Sequence, residues 1–443
     1  MDECGQYYIS ARRVAAVLAE AGHDVRIIAF MGENTPSYEE TKGYKVLRVN
    51  VITSRIPKLR FVRALTDWLF KSQRGLSPLP SDPKVSRGTT RLDSRSRPVL
   101  QSCEPSPPER LVSSFFKNSY WFLFRIAVYF LYLEYYWRSF WLARRQRADV
   151  CHAHDLNAVP VAWACSRLFR GRLVYDAHEL WLDRERLPPR SRLNRLLVKK
   201  LESFFVRRAD ATIIAGVSSG RELARRYNIE PLVVHNAWYY RPYEPSSLLR
   251  DEMGISSEKK ILLYIGVINL YRGLEVSVQS LKHLPNCVLV ILGWGPPDYV
   301  AALKSFISDE GLTDRVYFHE PVAFDRITNY GMSADVGLIL MKNVGLNYYY
   351  VSPNKVFQHM VAGLPTVSSN FPDLKIFVEG YDFGVTCDPE SPRDIANSVN
   401  YILADQARYS QMRANALEAA RTYNWENEAR KIVDLYEGLR AKR

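Results

Sequence analysis

The sequence has few cysteines and no pattern that would join them. Only six occur among 443 residues, and none stands in a Cys-x-x-Cys pair. Zinc-ribbon spacing and a disulfide framework are therefore both absent, and we expect a reducing compartment, the cytoplasm. Residues 1–12 are polar and lack the apolar stretch of a signal peptide.

Acidic residues are scarce in one region. Residues 51–200 contain 28 Lys and Arg against 12 Asp and Glu, whereas residues 241–443 contain 21 against 24. The net charge of +13 therefore originates in the first half of the chain. Such a one-sided excess favours an anionic partner: a lipid surface, nucleic acid or an acidic substrate. No nucleic-acid-binding module is recognisable, so we expect no nucleic-acid partner.

Alternating strands and helices organise most of the chain. The composition, 47% hydrophobic and 24% charged, indicates a globular protein of two or three domains. Most of the apolar runs lack alternation, which is typical of strands buried on both faces of a parallel sheet. The predicted strands are Val25–Phe30, Lys45–Val51, Val150–His154, Leu173–Asp176, Ala211–Ala215, Leu232–His235, Ile261–Gly266, Val288–Gly293, Val316–His319, Val336–Leu340, Thr366–Ser369 and Gly384–Cys387.

This alternation predicts an α/β protein with two doubly wound domains. The break falls near residues 236–247, and residues 391–440 are predicted to form three helices. We assign residues 1–240 to an N-terminal domain, 241–410 to a C-terminal domain and 411–443 to helices that pack back on the first domain.

Two unlike segments interrupt the first domain. Residues 71–110 are rich in proline, serine and basic residues, which predicts a disordered insertion. Residues 111–142 are intensely aromatic, but no uncharged run there exceeds about eight residues, too short for a membrane span. Two interpretations of the aromatic segment remain open: a buried helix or helix pair, or a helix lying in a membrane surface.

The best phosphate-binding signals lie in the second half. Gly266 and Arg272 follow a predicted strand and precede a helix, so the backbone, the helix N-terminus and a guanidinium could meet a diphosphate. An ordinary strand–helix turn would also explain this pattern. Further along, Asn354 and Lys355 lie one helical turn before Gln358, so they share one face. They could hold a phosphate and a ribose hydroxyl, or simply form the solvated start of an amphipathic helix.

Polar side chains close two strands of the first half. His152, His154 and Asp155 end one strand, and the group Asp176, His178 and Glu179 ends another. The carboxyl ends of parallel strands face the ligand crevice of a doubly wound sheet. Hydrogen bonding or acid–base work by His178, a structural role, and a metal site were all considered; nothing in the sequence fixes a ligand spacing for a metal.

A series of motifs runs along the chain: Leu18–Asp24 "LAEAGHD", Cys151–Asp155 "CHAHD", Val174–Leu180 "VYDAHEL", Tyr264–Leu274 "YIGVINLYRGL", Ala334–Leu338 "ADVGL" and Ser352–Pro365 "SPNKVFQHMVAGLP". In order and spacing this series resembles the retaining nucleotide-sugar glycosyltransferases of the GT-B fold, in the group 1 or family four set. The resemblance covers residues 1–70 and 140–443. It implies two Rossmann-like domains facing a cleft, with the C-terminal helices crossing back to the first domain.

The resemblance also implies a role for each matched residue. A nucleoside-diphosphate sugar would bind the second domain, as the donor substrate of an enzyme that needs no cofactor and no metal. Its phosphates, ribose and base would be met by Gly266, Arg272, Asn354, Lys355, Gln358 and Glu320. His178 would be the catalytic residue that contacts the transferred sugar. The acceptor-side residues would be His154, Asp155, Asp176 and Glu179.

The chain departs from the family pattern at four places. Tyr350 and Gln358 stand where the family usually has two glutamates, and Val267 stands where many members have a phosphate-binding arginine. We also expect the first strand of the family to be absent, because the sequence reaches a helix almost at once. Either the start of this sequence is misplaced or truncated, or the edge of the sheet is built otherwise. These departures concern activity more than fold.

Two principal hypotheses follow. The first is a hexosyltransferase that acts on a lipid-linked or polysaccharide acceptor with retention of configuration. The second is a catalytically degenerate homologue that serves as a scaffold in a polysaccharide assembly complex. A nucleotide-sugar epimerase or a phosphorylase on the same fold is a further alternative, although no pyridoxal-lysine motif is present.

A basic helix at Arg190–Arg208 adds a prediction about location. Its leucines and phenylalanines recur with helical spacing among seven basic residues. It would attach the enzyme peripherally to the anionic inner face of the cell membrane, or it would be an ordinary helix whose apolar side faces the core.

Overall fold

The computed structural model describes residues 3–31, 35–50, 130–184 and 191–441. The chain divides into one large unit, residues 1–50 with 138–443, and a second unit, residues 51–137. Within the described part of the aromatic segment, residues 130–144 are helical. The predicted insertion at 71–110 and the remainder of the aromatic segment lie outside the described residues.

Two sheets are built from strands of the first half. The first has the order β1-β3-β2, with β1 parallel and β2 antiparallel to β3. The second has the order β4-β5-β6-β7 and is wholly parallel. Among the described residues, no ladder joins the two sheets. The strands are β1 Arg26–Phe30, β2 Tyr38–Thr41, β3 Tyr44–Val49, β4 Val150–His154, β5 Arg172–Ala177, β6 Ala211–Ile214 and β7 Leu232–Val233.

The second half contains a six-stranded parallel sheet with the order β10-β9-β8-β11-β12-β13. Every residue of its strand β9 is buried, because helices cover both faces, which explains the continuous apolar runs in the sequence. The order reverses direction beside β8, the position at which doubly wound sheets bind ligands. The strands are β8 Lys260–Ile265, β9 Cys287–Leu292, β10 Val316–His319, β11 Val336–Ile339, β12 Thr366–Ser369 and β13 Gly384–Cys387.

Helices connect and cover these strands. Their bounds are α1 Glu3–Glu20, α2 Asp155–Phe169, α3 Arg192–Val206, α4 Val217–Tyr227, α5 Leu248–Met253, α6 Leu274–Ser280, α7 Pro297–Asp309, α8 Ile327–Met332, α9 Leu346–Tyr349, α10 Asn354–Val361, α11 Pro372–Val378, α12 Pro392–Leu403, α13 Gln406–Thr422 and α14 Trp425–Ala441. None of the helices in the described part of the chain is long and apolar enough to cross a membrane.

The predicted strands all occur, with ends shifted by at most two residues where they are described. Lys45–Val51, for example, becomes β3 Tyr44–Val49, and Val51 lies outside the described residues. The sequence analysis missed β2. Its residues alternate between exposed and half-buried, and it contains Glu39 and Glu40, which have low strand propensity. It joins β3 through a tight turn at Lys42 and Gly43.

The last helix crosses from the second half to the first. Trp425 donates its backbone N–H to the Trp238 carbonyl oxygen at 2.8 Å, where the chain changes partner. Ile432 and Leu439 of α14 then pack with Val174 and Ile213 of the first-half sheet. Helix α13, by contrast, packs on α10 of the second half. The sequence-based fold class is thereby confirmed, whereas the domain boundaries stay a prediction.

Candidate donor and acceptor sites

Gly266 lies at the end of β8 in a conformation that only glycine adopts easily, with φ of +139°. A Cβ atom added there would lie 2.9 Å from Cε and 3.0 Å from Nζ of Lys355. The neighbouring Gly293 is equally constrained, since its Cβ would lie 1.9 Å from the Gly266 carbonyl oxygen. The two glycines therefore allow the β8 and β9 ends to pack closely and the lysine to lie across them.

Lys355 is a half-buried cation with an aromatic neighbour and a cationic one. Its Nζ lies 4.9 Å from the ring centre of Tyr264. Burial, and secondarily the positive charge of Arg272, lower the pKa of Lys355 to about 7. A nearby anion would reverse this effect, because it would favour the charged form.

Arg272 completes a pair of cations without a counter-ion. Its guanidinium lies 5.9 Å from the ring centre of Tyr348, and Nη1 is 4.0 Å from Sδ of Met341. No carboxylate among the described residues forms an ion pair with Arg272 or Lys355. Two buried or half-buried cations near the end of a parallel strand are a natural site for a diphosphate.

Gln358 presents an unpartnered acceptor. The residue is only 8% exposed, and its Oε1 has no hydrogen-bond partner within the described residues. It lies one turn after Asn354 and Lys355, which begin α10, as the spacing predicted. A buried carbonyl oxygen without a donor costs free energy, and a ligand hydroxyl would satisfy it.

Glu320 is positioned differently from the other predicted donor residues. It is exposed and follows the edge strand β10, and its backbone oxygen is 2.6 Å from Nδ1 of His319. Among the described residues, no hydrogen bond or ion pair joins it to Lys355 or Gln358. Its role at the base of a nucleotide stays a prediction.

Two of the predicted acceptor-side residues, His154 and Asp176, form a cluster with His178 at the ends of β4 and β5. Nδ1 of His154 is 3.0 Å from Nε2 of His178 and 3.1 Å from Oδ2 of Asp176. Nε2 of His178 is 3.8 Å from the same carboxylate oxygen. Burial alone would raise the pKa of Asp176, but His178, His152 and His154 outweigh it and hold that pKa well below 3.8. Burial, together with His152, lowers the pKa of His154.

Asp155 is strained and desolvated. Its φ is +62°, which a non-glycine residue rarely adopts, and Oδ1 is buried without a hydrogen-bond partner in the described structure. Burial raises the pKa of Asp155 to about 6. Strain and an uncompensated acceptor at one residue are features that functional sites often tolerate.

Glu179 of the first half forms a hydrogen bond with a residue of the second half. Asn347 donates to its Oε2 at 2.7 Å and accepts from the backbone N–H of Leu180 at 3.0 Å. The next residue, Tyr348, is the ring beside Arg272. Helix α9 therefore contacts the loop after β5, beside the histidine cluster, through Asn347, and the guanidinium of Arg272 through Tyr348.

Sequence reasoning missed these connecting residues. The residues around Asn347 form no pattern that would predict its contact with Leu180, 167 residues earlier in the chain. Asp373 is similar: buried in the second half, it accepts from the backbone N–H groups of Val217 and Ser218 and so caps α4 of the first half. Tyr350, which occupies the place of a family glutamate, packs against the first-half core.

The arrangement of parallel sheets and helices is that of the GT-B fold class. Sucrose-phosphate synthase from Thermosynechococcus elongatus has the same fold, with a TM-score of 0.69, 18% identity and coverage of 98% of this chain and 94% of that one. The protein HepE of Anabaena, solved in complex with UDP-glucose, gives a TM-score of 0.58 at 19% identity, over 68% of this chain and 82% of that one.

The family follows from the sequence models. The model described as "Glycosyl transferases group 1" matches residues 246–419, and "Glycosyltransferase Family 4" matches residues 99–237. Together they cover more than two thirds of the chain, which belongs to the group 1, family 4 glycosyltransferases.

A curated relative is D-inositol 3-phosphate glycosyltransferase of Xylanimonas cellulosilytica, 27% identical over 53% of this chain. The chain spans 58% of the length of that relative.

Proposed function

We propose that the chain transfers a hexosyl residue from a nucleoside-diphosphate sugar to a lipid-linked or polysaccharide acceptor, with retention of configuration. The observation that carries this proposal is the pair Lys355 and Arg272, two cations near Gly266 without a counter-ion among the described residues. The UDP-glucose complex of the structural neighbour HepE supports a donor of this class.

The donor would bind the second half of the cleft. Its diphosphate would lie against Lys355 and Arg272, and a ribose hydroxyl would donate to the unpartnered Oε1 of Gln358. As the bond to the sugar breaks, negative charge develops on the departing diphosphate. Fixed cations near this group would stabilise that charge directly, so the reaction would require no metal at the phosphates.

His178 would act on the acceptor side of the same cleft. The imidazole is held by His154 and Asp176, so its orientation is fixed before substrate arrives. In that position it would contact the transferred sugar, while the departing phosphate would accept the acceptor's proton. Asp155 and Glu179 would shape the surroundings of the histidine.

Attachment to an anionic membrane is the second part of the proposal. Helix α3 exposes its apolar side: Leu193 is 67% exposed, Leu196 49% and Leu197 57%. Its buried residues are Glu202, Phe205 and Val206. Basic residues flank the exposed stripe: Arg192, Arg195, Lys199, Lys200, Arg207 and Arg208. An exposed apolar stripe between cations suits the surface of a bilayer on the cytoplasmic side.

The experiment is a donor panel. The protein would be incubated with UDP- and GDP-sugars and an anionic lipid-linked acceptor, and release of the nucleoside diphosphate would be measured. The anomeric configuration of the product, read by NMR, would test retention. Failure of every donor to release a nucleoside diphosphate, with a folded protein, would contradict the transferase proposal.

The alternative is a degenerate transferase that serves as a scaffold. Gln358 and Tyr350 in place of two acidic residues favour it, because a neutral amide and a phenol cannot supply a carboxylate. Calorimetry with UDP and GDP separates the hypotheses. Micromolar binding together with turnover supports the enzyme, whereas absence of both supports the scaffold.

A further inference from the structure

The histidine cluster contains a set of atoms with the separation of metal ligands. Nε2 of His152 and Nδ1 of His154 lie 3.5 and 3.1 Å from Oδ2 of Asp176. All three atoms lie within 4.8 Å of one another. Ligand atoms at about 2.0–2.1 Å from a zinc ion stand roughly 3.3–3.4 Å apart in tetrahedral geometry. The two measured separations fall on either side of that value.

The contacts of His152 leave its Nε2 atom able to bind a metal ion. Its Nδ1 is 2.8 Å from the hydroxyl of Tyr436, on the crossing helix α14. When Nδ1 donates its proton to that hydroxyl oxygen, Nε2 keeps a lone pair. Nε2 is buried, and the acidic oxygen that it faces, Oδ2 of Asp176, is 3.5 Å away. Metal-bound histidines characteristically have their second nitrogen held by such a partner.

We propose that His152 Nε2, His154 Nδ1 and Asp176 Oδ2 bind a divalent metal ion of the zinc type. Two imidazoles and one carboxylate are a ligand set that zinc accepts, and a water or a substrate oxygen would complete the coordination. The site lies at the ends of β4 and β5, in the first half. It is therefore separate from the cation pair at Lys355. His154 and Asp176 also hold His178, so the metal site would share these two residues with the acceptor side of the proposed function.

The sequence contains the three ligand residues, but it does not show how their atoms are arranged. His152 and His154 alternate along a strand, so they point to the same side of it, and the parallel pairing of β4 with β5 places Asp176 opposite His154. Only the crossing helix brings Tyr436 to the other nitrogen of His152. The metal site is thus assembled from three parts of the chain.

Binding of Zn²⁺ to the full chain, after treatment with a chelator and its removal, tests the proposal. We expect one ion per chain by calorimetry, and Co²⁺ should give the visible absorption bands of a tetrahedral site. H152A and D176N should abolish this binding. H319A is the matched control and should bind as the wild type does, because His319 pairs with Glu252 in the second half.

A gentler variant keeps the test valid if H152A or D176N fails to fold. Y436F removes one hydroxyl and should weaken Zn²⁺ binding by about 10- to 100-fold, as loss of such a partner does in known sites. Zn²⁺ binding that is absent, or that survives H152A and D176N through the cysteines, would overturn the proposal. Binding of UDP-glucose, measured separately, should not change in H152A, so failure of the metal site and failure of the donor site are distinguishable.

Discussion

Replacement of Lys355 by methionine should stabilise the protein and weaken donor binding at the same time. Burial and Arg272 lower the pKa of Lys355 from 10.5 to about 7. The charged form is therefore disfavoured in the folded state. The resulting destabilisation is complete below pH 7, and it fades as the pH rises from 7 towards 10.5, where the unfolded chain also loses the proton.

The size of the effect follows from the pKa displacement. Each pKa unit corresponds to about 1.4 kcal/mol, so the full displacement would amount to roughly 5 kcal/mol. Residue 355 is half-buried and keeps some solvent contact. We therefore expect K355M to raise the free energy of unfolding by about 2–3 kcal/mol at pH 6, and by less at pH 9.

Donor binding should move in the opposite direction. Loss of one charge-assisted hydrogen bond costs about 1.5–3 kcal/mol, which is roughly a 10- to 150-fold rise in the Kd for UDP-glucose. In the wild type the bound diphosphate restores the charge of Lys355, so binding takes up a proton above pH 7. The Kd should rise about tenfold from pH 6 to pH 8, and K355M should lose this dependence.

Urea unfolding and calorimetry with UDP-glucose measure the two effects. K375M is the matched control, since Lys375 is an exposed lysine of the same half, and it should change neither quantity. A K355M variant that is less stable at pH 6, or that binds UDP-glucose as the wild type does, would refute the reasoning.

Three further outcomes are expected. G266A should weaken UDP-glucose binding at least tenfold, because a Cβ would lie 2.9 Å from Cε of the half-buried Lys355 and φ is +139°; unchanged calorimetric affinity would contradict this. N347A removes hydrogen bonds to Glu179 and to a backbone N–H, and should lower the free energy of unfolding in urea by about 1–3 kcal/mol; equal midpoints for the variant and the wild type would show that this contact is unimportant. L197S should reduce flotation with anionic vesicles, whereas L168S, at a leucine 52% exposed outside α3, should not; equal losses in both variants would argue against a specific membrane face.

Runs of apolar residues in the sequence predicted where the strands lie and which of them are buried on both faces. Strands β8 and β9 lie within one residue of the predicted runs Ile261–Gly266 and Val288–Gly293, because a strand buried on both faces admits few polar residues. The strand Tyr38–Thr41 gives no such signal, since none of its residues is fully buried and none therefore has to be apolar. Its pairing with β3 came only from the three-dimensional structure.

For the candidate sites too, some features could be predicted from the sequence and others could not. The types and approximate positions of Gly266, Lys355 and His178 could be predicted, since strand ends and helix starts are where such residues serve ligands. The roles of all the predicted site residues stay predictions. Long-range partners could not be predicted from local patterns, because the hydrogen bond between Asn347 and Glu179 joins residues 168 positions apart.

The excess of basic residues in the first half can be counted from the sequence. The sequence also predicts an apolar stripe on α3, but it allows that stripe to face either the core or the solvent. The tertiary structure decided between them, because Phe205 and Val206 already fill the contact with the core and leave the leucines exposed. Charge and periodicity are local and can be counted along the chain. Which side of a helix is covered, and which histidine nitrogen meets Tyr436, depends on elements that meet only when the chain has folded.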